Sequence, residues 1–249
     1  LKKIIITGAS SGFGFETAKV FAEHGWSVFA LARRTDRLQT LADTNSNISF
    51  ETLDVSHRDS CQQVLEAYCK NHGAPDLLVN NAGFALGLDK ASEANLDDWD
   101  SMIDVNIRGL ATVTRLVLPF MVKENKGLIV NIGSIAGNWP YPGGNVYGAT
   151  KAFVHHFSRN LKAELLGTNV RVTSLEPGLA ETEFSNTRFK GDGLKASEVY
   201  KGTKPITPND IASTILWLSS LPDHLNVNSL EIMATCQAWG SYAIHREAI

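Results

Sequence analysis

Seven short runs of β-branched and apolar residues, separated by longer stretches of helical period, leave this 249-residue chain few ways to fold. The runs are KIIIT (3–7), SVFAL (27–31), ISFETL (48–53), LLVN (77–80), GLIVNIG (127–133), VRVTSL (170–175) and SLEIM (229–233). Most are apolar almost throughout, whereas a strand with one wet face would alternate. Such strands need cover on both faces, and segments near 12–24, 34–43, 57–71, 97–124, 146–166 and 208–219 supply it as helices. Strand–helix–strand units repeated with right-handed crossovers predict an α/β fold: a doubly wound parallel sheet with helices on both faces. With no proline-rich linker, charge block or internal repeat, a single domain over 1–249 is expected.

Residues 178–207, GLAETEFSNTRFKGDGLKASEVYKGTKPIT, break the rhythm with four glycines, several charges and no strong apolar period. A long connection directly after a strand's carboxyl end, where open α/β sheets bind ligands, is expected to be a lid. A tail from about 234 to 249 follows the last strand. The net charge of −3 gives no footprint for nucleic acid or an anionic membrane. No apolar run is expected to span a bilayer. The opening LKKIIITGASSG reads as two lysines and a strand, not a leader. Cys61, Cys69 and Cys236 make no CxxC pair, so free thiols in the reducing cytoplasm are expected, without disulfide or metal site.

TGASSGFG at 7–14 joins the first strand to the first helix. Gly8, Gly12 and Gly14 follow G-x-x-x-G-x-G, not G-x-G-x-x-G, but serve the same need. That need is a tight turn, close backbone approach to a pyrophosphate, and helix N-terminal amides aimed at negative charge. Ser10, Ser11 and Phe13 complete the turn. Its position favours a dinucleotide over a bare glycine-rich turn. The second strand ends in LARRTDR, with Arg33 and Arg34 where an acid would hold a ribose 2′-hydroxyl. Cations are misplaced at a helix start unless an anion is near, and guanidinium groups suit a 2′-phosphate. NADP is therefore expected over NAD, with Ser10 as a further donor to the phosphate. Asp36 is expected to face solvent, and Asp54 and Val55, after the third strand, to receive the adenine.

NVYGATKAF at 145–153 sets Tyr147 and Lys151 on one helical face with small residues between them. A free tyrosine titrates near 10, and bringing it to neutrality takes roughly 4 kcal/mol of preference for the phenolate. An adjacent ammonium supplies part of this and an oxidised nicotinamide more. Lys151 is thus expected to lower the pKa of Tyr147. Alone, the spacing usually means a half-buried aromatic beside a surface lysine. Ser134, in VNIGSIAG after the fifth strand, adds a hydroxyl that can bind a substrate oxygen. No G-x-S-x-G surrounds it, and His155 and His156 are badly placed as its base, which argues against hydrolysis. Asn106, in MIDVNIRG, is either a satisfied core amide or a partner for the backbone or for a water linking Lys151 to solvent.

TGASSGFG, DVS at 54–56, DLLVNNAG at 76–83, Asn106, Ser134, Tyr147 with Lys151, and Pro177–Gly178 occur in that order. Over nearly its whole length the chain thereby resembles the short-chain dehydrogenases/reductases. The resemblance implies a seven-stranded Rossmann sheet of order 3-2-1-4-5-6-7 and a tetramer or dimer built on the helices near 97–124 and 146–166. It implies a catalytic tetrad of Asn106, Ser134, Tyr147 and Lys151. It implies too that Lys151 holds the nicotinamide ribose, that Asn81, Ala82 and Gly83 brace the adenosine side, and that Pro177 and Gly178 face the nicotinamide. The family's extended branch carries T-G-x-x-G-x-x-G, which the spacing here does not match.

GNWPYPGGN (137–145), EFSNTRFKGD (183–192) and QAWGSYAIHREAI (237–249) further resemble one bacterial branch of the family. That branch uses NADP on serine, L-allo-threonine and 3-hydroxy acids and reduces malonic semialdehyde. A 3-hydroxy acid needs a cation for its carboxylate beside the tetrad. Arg188 and Lys190 in the lid and Arg246 in the tail are candidates, each equally readable as a solvated loop charge; bidentate capture favours arginine. Trp139 and Tyr141 are expected to wall the substrate pocket or to belong to a subunit contact. The expected activity is hydride transfer between NADP and a small 3-hydroxy acid. A broad carbonyl reductase and a non-catalytic NADP-binding sensor are the alternatives.

Overall fold

Ile4, Ile5 and Ile6 show why the strands lack alternation. All three are fully buried, Ile4 and Ile6 under one layer of helices and Ile5 under the other. Each such side chain contributes roughly 1.5–3 kcal/mol. The structure is a computed structural model that describes residues 1–240. Its strands are β1 (Lys3–Thr7), β2 (Ser27–Ala32), β3 (Ile48–Thr52), β4 (Leu77–Asn80), β5 (Gly127–Ile132), β6 (Val170–Pro177) and β7 (Ser229–Ile232). They form one sheet in the order β3-β2-β1-β4-β5-β6-β7, with every pairing parallel. Helices α1 (Gly12–Glu23), α2 (Thr35–Ala42) and α9 (Pro208–Ser220) cover one face. Helices α3 (Arg58–His72), α5 (Leu110–Glu124) and α6 (Asn145–Glu164) cover the other.

The stretch expected as one helix near 97–124 is α4 (Leu96–Ile103), a π-helical turn (Asp104–Gly109) and α5. A π turn carries one more residue than an α turn, and Asn106 within it is buried. By length and composition this run could cross a membrane, contrary to the sequence expectation. Core helices pass the same test, and here Met102, Leu110, Val113, Val117 and Met121 are buried against the rest of the protein.

Between β6 and α9 the chain folds into two short helices, α7 (Phe184–Arg188) and α8 (Gly193–Glu198), and Ala180 bridges Ile206 in parallel. The segment stops sharply at Thr207, whose hydroxyl accepts from the Asp210 N–H at 3.2 Å while its own N–H donates to the Asp210 carboxylate at 2.8 Å. Strand order reverses between β1 and β4, which opens a crevice at the carboxyl edge of the sheet.

Candidate active site

Thr7 closes β1, and its hydroxyl accepts from the backbone N–H groups of Asn81 (3.1 Å) and Ala82 (3.0 Å). Asn81 returns its side-chain amide to the carbonyls of Thr7 (2.9 Å) and Gly8 (3.1 Å). This reciprocal lock fixes the loops after β1 and β4 where the strand order reverses. No side chain fits between them: a Cβ on Gly8 would meet Ala82 Cα at 2.8 Å, and one on Gly14 would meet the Gly8 carbonyl at 2.5 Å. Ser11 precedes α1 without capping it by its side chain, so first-turn amides stay available to an anion.

Arg34 folds back over that turn. Its Nε donates to Ser10 Oγ at 3.1 Å, its Nη2 to Ser11 Oγ at 2.6 Å and its Nη1 to Glu183 at 2.9 Å. Arg37, which the sequence reasoning passed over, also faces Glu183 at 3.7 Å. Its place three residues after Arg34, on the same helical face, is the signal that marks it. Arg33 turns to the opposite wall, 3.9 Å from Asp54, with Val55 beside it in the cleft. Burial works against charge on Asp54, but hydrogen bonds from Ser56 and the Arg33 charge hold its carboxyl below the ordinary value. Asp36 is exposed.

Ser134 follows β5 in extended backbone, and its hydroxyl accepts from the Ala136 N–H at 3.1 Å. Asn106 is tied to Phe84 in both directions: its Nδ2 donates to the carbonyl at 2.9 Å and its Oδ1 accepts from the N–H at 3.0 Å. The same Nδ2 reaches the Thr150 hydroxyl at 3.1 Å. Asn106 is thus both a satisfied core amide and a partner of the backbone, the two readings here coinciding. Gly83 lies between this asparagine and the lysine, since a Cβ there would sit 3.1 Å from Asn106 Oδ1 and 3.5 Å from Lys151 Nζ.

Lys151 is buried, donates to the Ile132 carbonyl at 2.8 Å, and is pulled by burial down to about 8. Its ammonium stands 5.9 Å from the Tyr147 ring centroid. Burial pushes the Tyr147 phenol up to about 12, opposed by the Ser134 hydroxyl and the Arg188 charge. The helix brings the two side chains together, the carbonyl ending β5 holds the ammonium, and the charge of Arg188 also faces the phenol. That guanidinium lies 5.1 Å from the ring centroids of both Tyr147 and Phe184. It donates to the Tyr141 hydroxyl at 2.9 Å, and its Nε is buried without a hydrogen-bond partner.

Among the described residues, Trp139 and Lys190 lie apart from the cleft lining. Trp139 is turned away: its indole N–H donates to Glu231 of β7 at 2.9 Å, and its ring packs on Trp239 at 5.6 Å. It therefore does not wall the substrate pocket; Phe84 and Phe184 line the cleft instead. Lys190 pairs with Asp98 at 2.8 Å, in keeping with the alternative of a loop charge. Arg246 lies outside the described residues. His155 is paired with Glu176 of β6.

One cleft of about 350 Å³ runs along the carboxyl edge of the sheet, within the range of roughly 300–1,000 Å³ usual for small-molecule sites. Gly8, Ser10, Ser11, Gly12, Phe13, Arg33, Arg34, Asp54, Val55, Asn81, Ala82 and Gly83 line one part. Ser134, Tyr147, Lys151, Pro177 and Gly178 line the rest. Guanidinium groups at one end, open helix amides, and a half-buried hydroxyl beside a buried phenol and ammonium at the other fit a dinucleotide bearing a 2′-phosphate. Such a donor set can hold two anionic groups and move a proton beside them.

The model of the short chain dehydrogenase family matches residues 2–193. The chain is 48% identical over 246 residues to the NADP-dependent 3-hydroxy acid dehydrogenase YdfG of Shigella flexneri, covering 98% of this chain and 99% of that one. It is 45% identical over 246 residues to the serine 3-dehydrogenase of Agrobacterium fabrum, covering 98% of each. The closed form of a serine dehydrogenase complexed with NADP+ matches with a TM-score of 0.96 at 48% identity, covering 98% of this chain and 100% of that one. On sheet order, cleft and likeness alike, the chain belongs to the short-chain dehydrogenase family.

Proposed function

We propose that this protein is an NADP-dependent oxidoreductase acting at the 3-hydroxyl carbon of small 3-hydroxy acids, of the L-serine, L-allo-threonine or 3-hydroxypropionate type, and on the matching carbonyl compounds in reverse. The observation that carries the substrate class is Arg188, a guanidinium 5.1 Å from the Tyr147 ring centroid with a buried Nε left unpartnered. A carboxylate bound there brings the 3-hydroxyl within reach of the phenol, and arginine suits bidentate capture. The likeness to enzymes named for serine and 3-hydroxy acids supports the same reading.

NADP supplies or accepts the hydride. Ser134 binds the substrate oxygen, and Tyr147 donates or takes the proton at that oxygen. With burial holding the phenol protonated at neutral pH, Tyr147 is ready as the acid of carbonyl reduction. Oxidation needs added positive charge to favour the phenolate, which Arg188 and an oxidised nicotinamide provide. Lys151 holds the ribose, and Asn106 with Thr150 fixes the loop that carries Gly83. Gly8, Ser11, Gly12, Phe13 and Gly14 seat the pyrophosphate, and Ser10, Arg33 and Arg34 the 2′-phosphate. Asp54 and Val55 receive the adenine, Asn81 to Gly83 brace the adenosine side, and Pro177 and Gly178 face the nicotinamide. Residues 178–207 serve as lid to one domain. Free thiols suit the cytoplasm. Half-buried Phe153 and Phe157, stacked on α6 at 5.5 Å, suit a homotetramer built on α5 and α6.

Comparing 3-hydroxypropionate with its methyl ester tests the carboxylate. The acid is expected to be the far better substrate, and equal rates would support the broad carbonyl reductase, for which the apolar Phe84 and Phe184 speak. Tyr147→Phe is expected to abolish turnover while sparing NADPH binding; an unimpaired variant would remove the tyrosine from its role.

A further inference from the structure

The lid reaches into the phosphate end of the cleft through one carboxylate. Glu183 stands immediately before α7, and its two oxygens face Arg34 at 2.9 Å and Arg37 at 3.7 Å. The Arg34 hydrogen bond holds its carboxyl below the ordinary value, with burial the lesser and opposing influence, so it is charged at neutral pH. Arg34 is then bound on all three nitrogens, by Ser10, Ser11 and Glu183. A phosphomonoester dianion seeks the same donors, and a carboxylate at that spot repels it. At the other end of α7, five residues on, sits Arg188 over the Tyr147 ring.

We infer that Glu183 is a specificity-determining residue: its carboxylate competes with the cofactor's 2′-phosphate for Arg34 and Arg37. A cofactor bearing that phosphate displaces Glu183 and thereby re-seats α7, the helix that carries Arg188. NAD, lacking the phosphate, leaves the contact in place. This rests on the reading that Arg34 binds the 2′-phosphate, so the experiment contains a control for it.

Wild type, Glu183→Gln, Glu183→Ala and Arg34→Ala are titrated with 2′,5′-ADP, 5′-ADP, NADPH and NADH by tryptophan fluorescence. Both Glu183 variants are expected to bind 2′,5′-ADP and NADPH roughly three- to fivefold more tightly, as half-exposed ion pairs allow. Their affinity for 5′-ADP and NADH should change less than about twofold. In wild type, 2′,5′-ADP but not 5′-ADP should alter the rate of tryptic cleavage after Arg188 and Lys190. With Arg34→Ala still selectively impaired, weaker binding of 2′,5′-ADP by the Glu183 variants would show that Glu183 orients Arg34, and unchanged binding that it does neither; either result would overturn the competition. Equal loss of both nucleotides in Arg34→Ala would remove the 2′-phosphate assignment itself, and the inference with it.

Discussion

Arg188→Met keeps most of the side chain's length and its packing against the Tyr147 and Phe184 rings while removing the guanidinium that lies 5.1 Å from each. A substrate carboxylate brought to that partly buried guanidinium, beside its buried Nε, would lose its partner, a loss of up to about 3–5 kcal/mol. At about 1.4 kcal/mol per decade, kcat/KM for 3-hydroxypropionate should fall by roughly two to three and a half orders of magnitude. The contact is remote from the reacting carbon and is made alike in ground and transition states, so most of the loss should enter KM. Arg188→Lys restores a point charge but not the planar fork, and should recover only part. A second readout follows from Tyr147, whose phenol the Arg188 charge pulls down against burial. Without that charge the phenol rises further, and the acid limb of the oxidation profile moves to higher pH. Initial rates at the NADPH band, for the acid and its methyl ester across pH, give both quantities. An equal loss on acid and ester would refute carboxylate capture, because Arg188 would then act through Tyr147 alone.

Replacing Arg33 and Arg34 together by alanine should weaken NADPH about 10- to 100-fold and NADH by less than about threefold; equal losses in titrations would dismiss the 2′-phosphate contact. Gly14→Ala places a Cβ 2.5 Å from the Gly8 carbonyl, which should destabilise the fold by about 1–3 kcal/mol and impair NADPH binding; an unchanged melting temperature would contradict it. Lys151 titrates near 8 in the fold against 10.5 as its ordinary value. Between those pH values the unfolded chain binds the extra proton, so stability should rise with pH by about 3 kcal/mol, at about 1.4 kcal/mol per pH unit. Lys151→Met should lack this rise in denaturant melts at about pH 7.5 and about pH 10, and an identical pH dependence in the two proteins would count against a desolvated ammonium.

The strands were legible because burial on both faces writes an unbroken apolar run, as at Ile4–Ile6. The crevice was legible because glycines and a conspicuous Arg33–Arg34 pair sit at strand ends. What escaped depends on contacts between distant segments or on elements too short to show a period. α7 and α8 have five and six residues, less than two turns each. The π turn at Asp104–Gly109 leaves no mark in residue spacing. Tyr147 and Lys151 were correctly placed together, but the direction of the ammonium was set by the Ile132 carbonyl, which no helix spacing encodes. Whether Trp139 walls the pocket was not legible, because its indole is held by Glu231, 92 residues away on the last strand. Glu183 is 149 residues from Arg34 in sequence, and nothing local connects them.

The central claim is tested most directly by absorbance at the NADPH band, with purified protein, NADP and, in parallel, L-serine, L-allo-threonine, 3-hydroxypropionate and a plain secondary alcohol. The account predicts NADPH formation with the hydroxy acids and little with the alcohol. Turnover of the alcohol alone, or of none of the four, would contradict it.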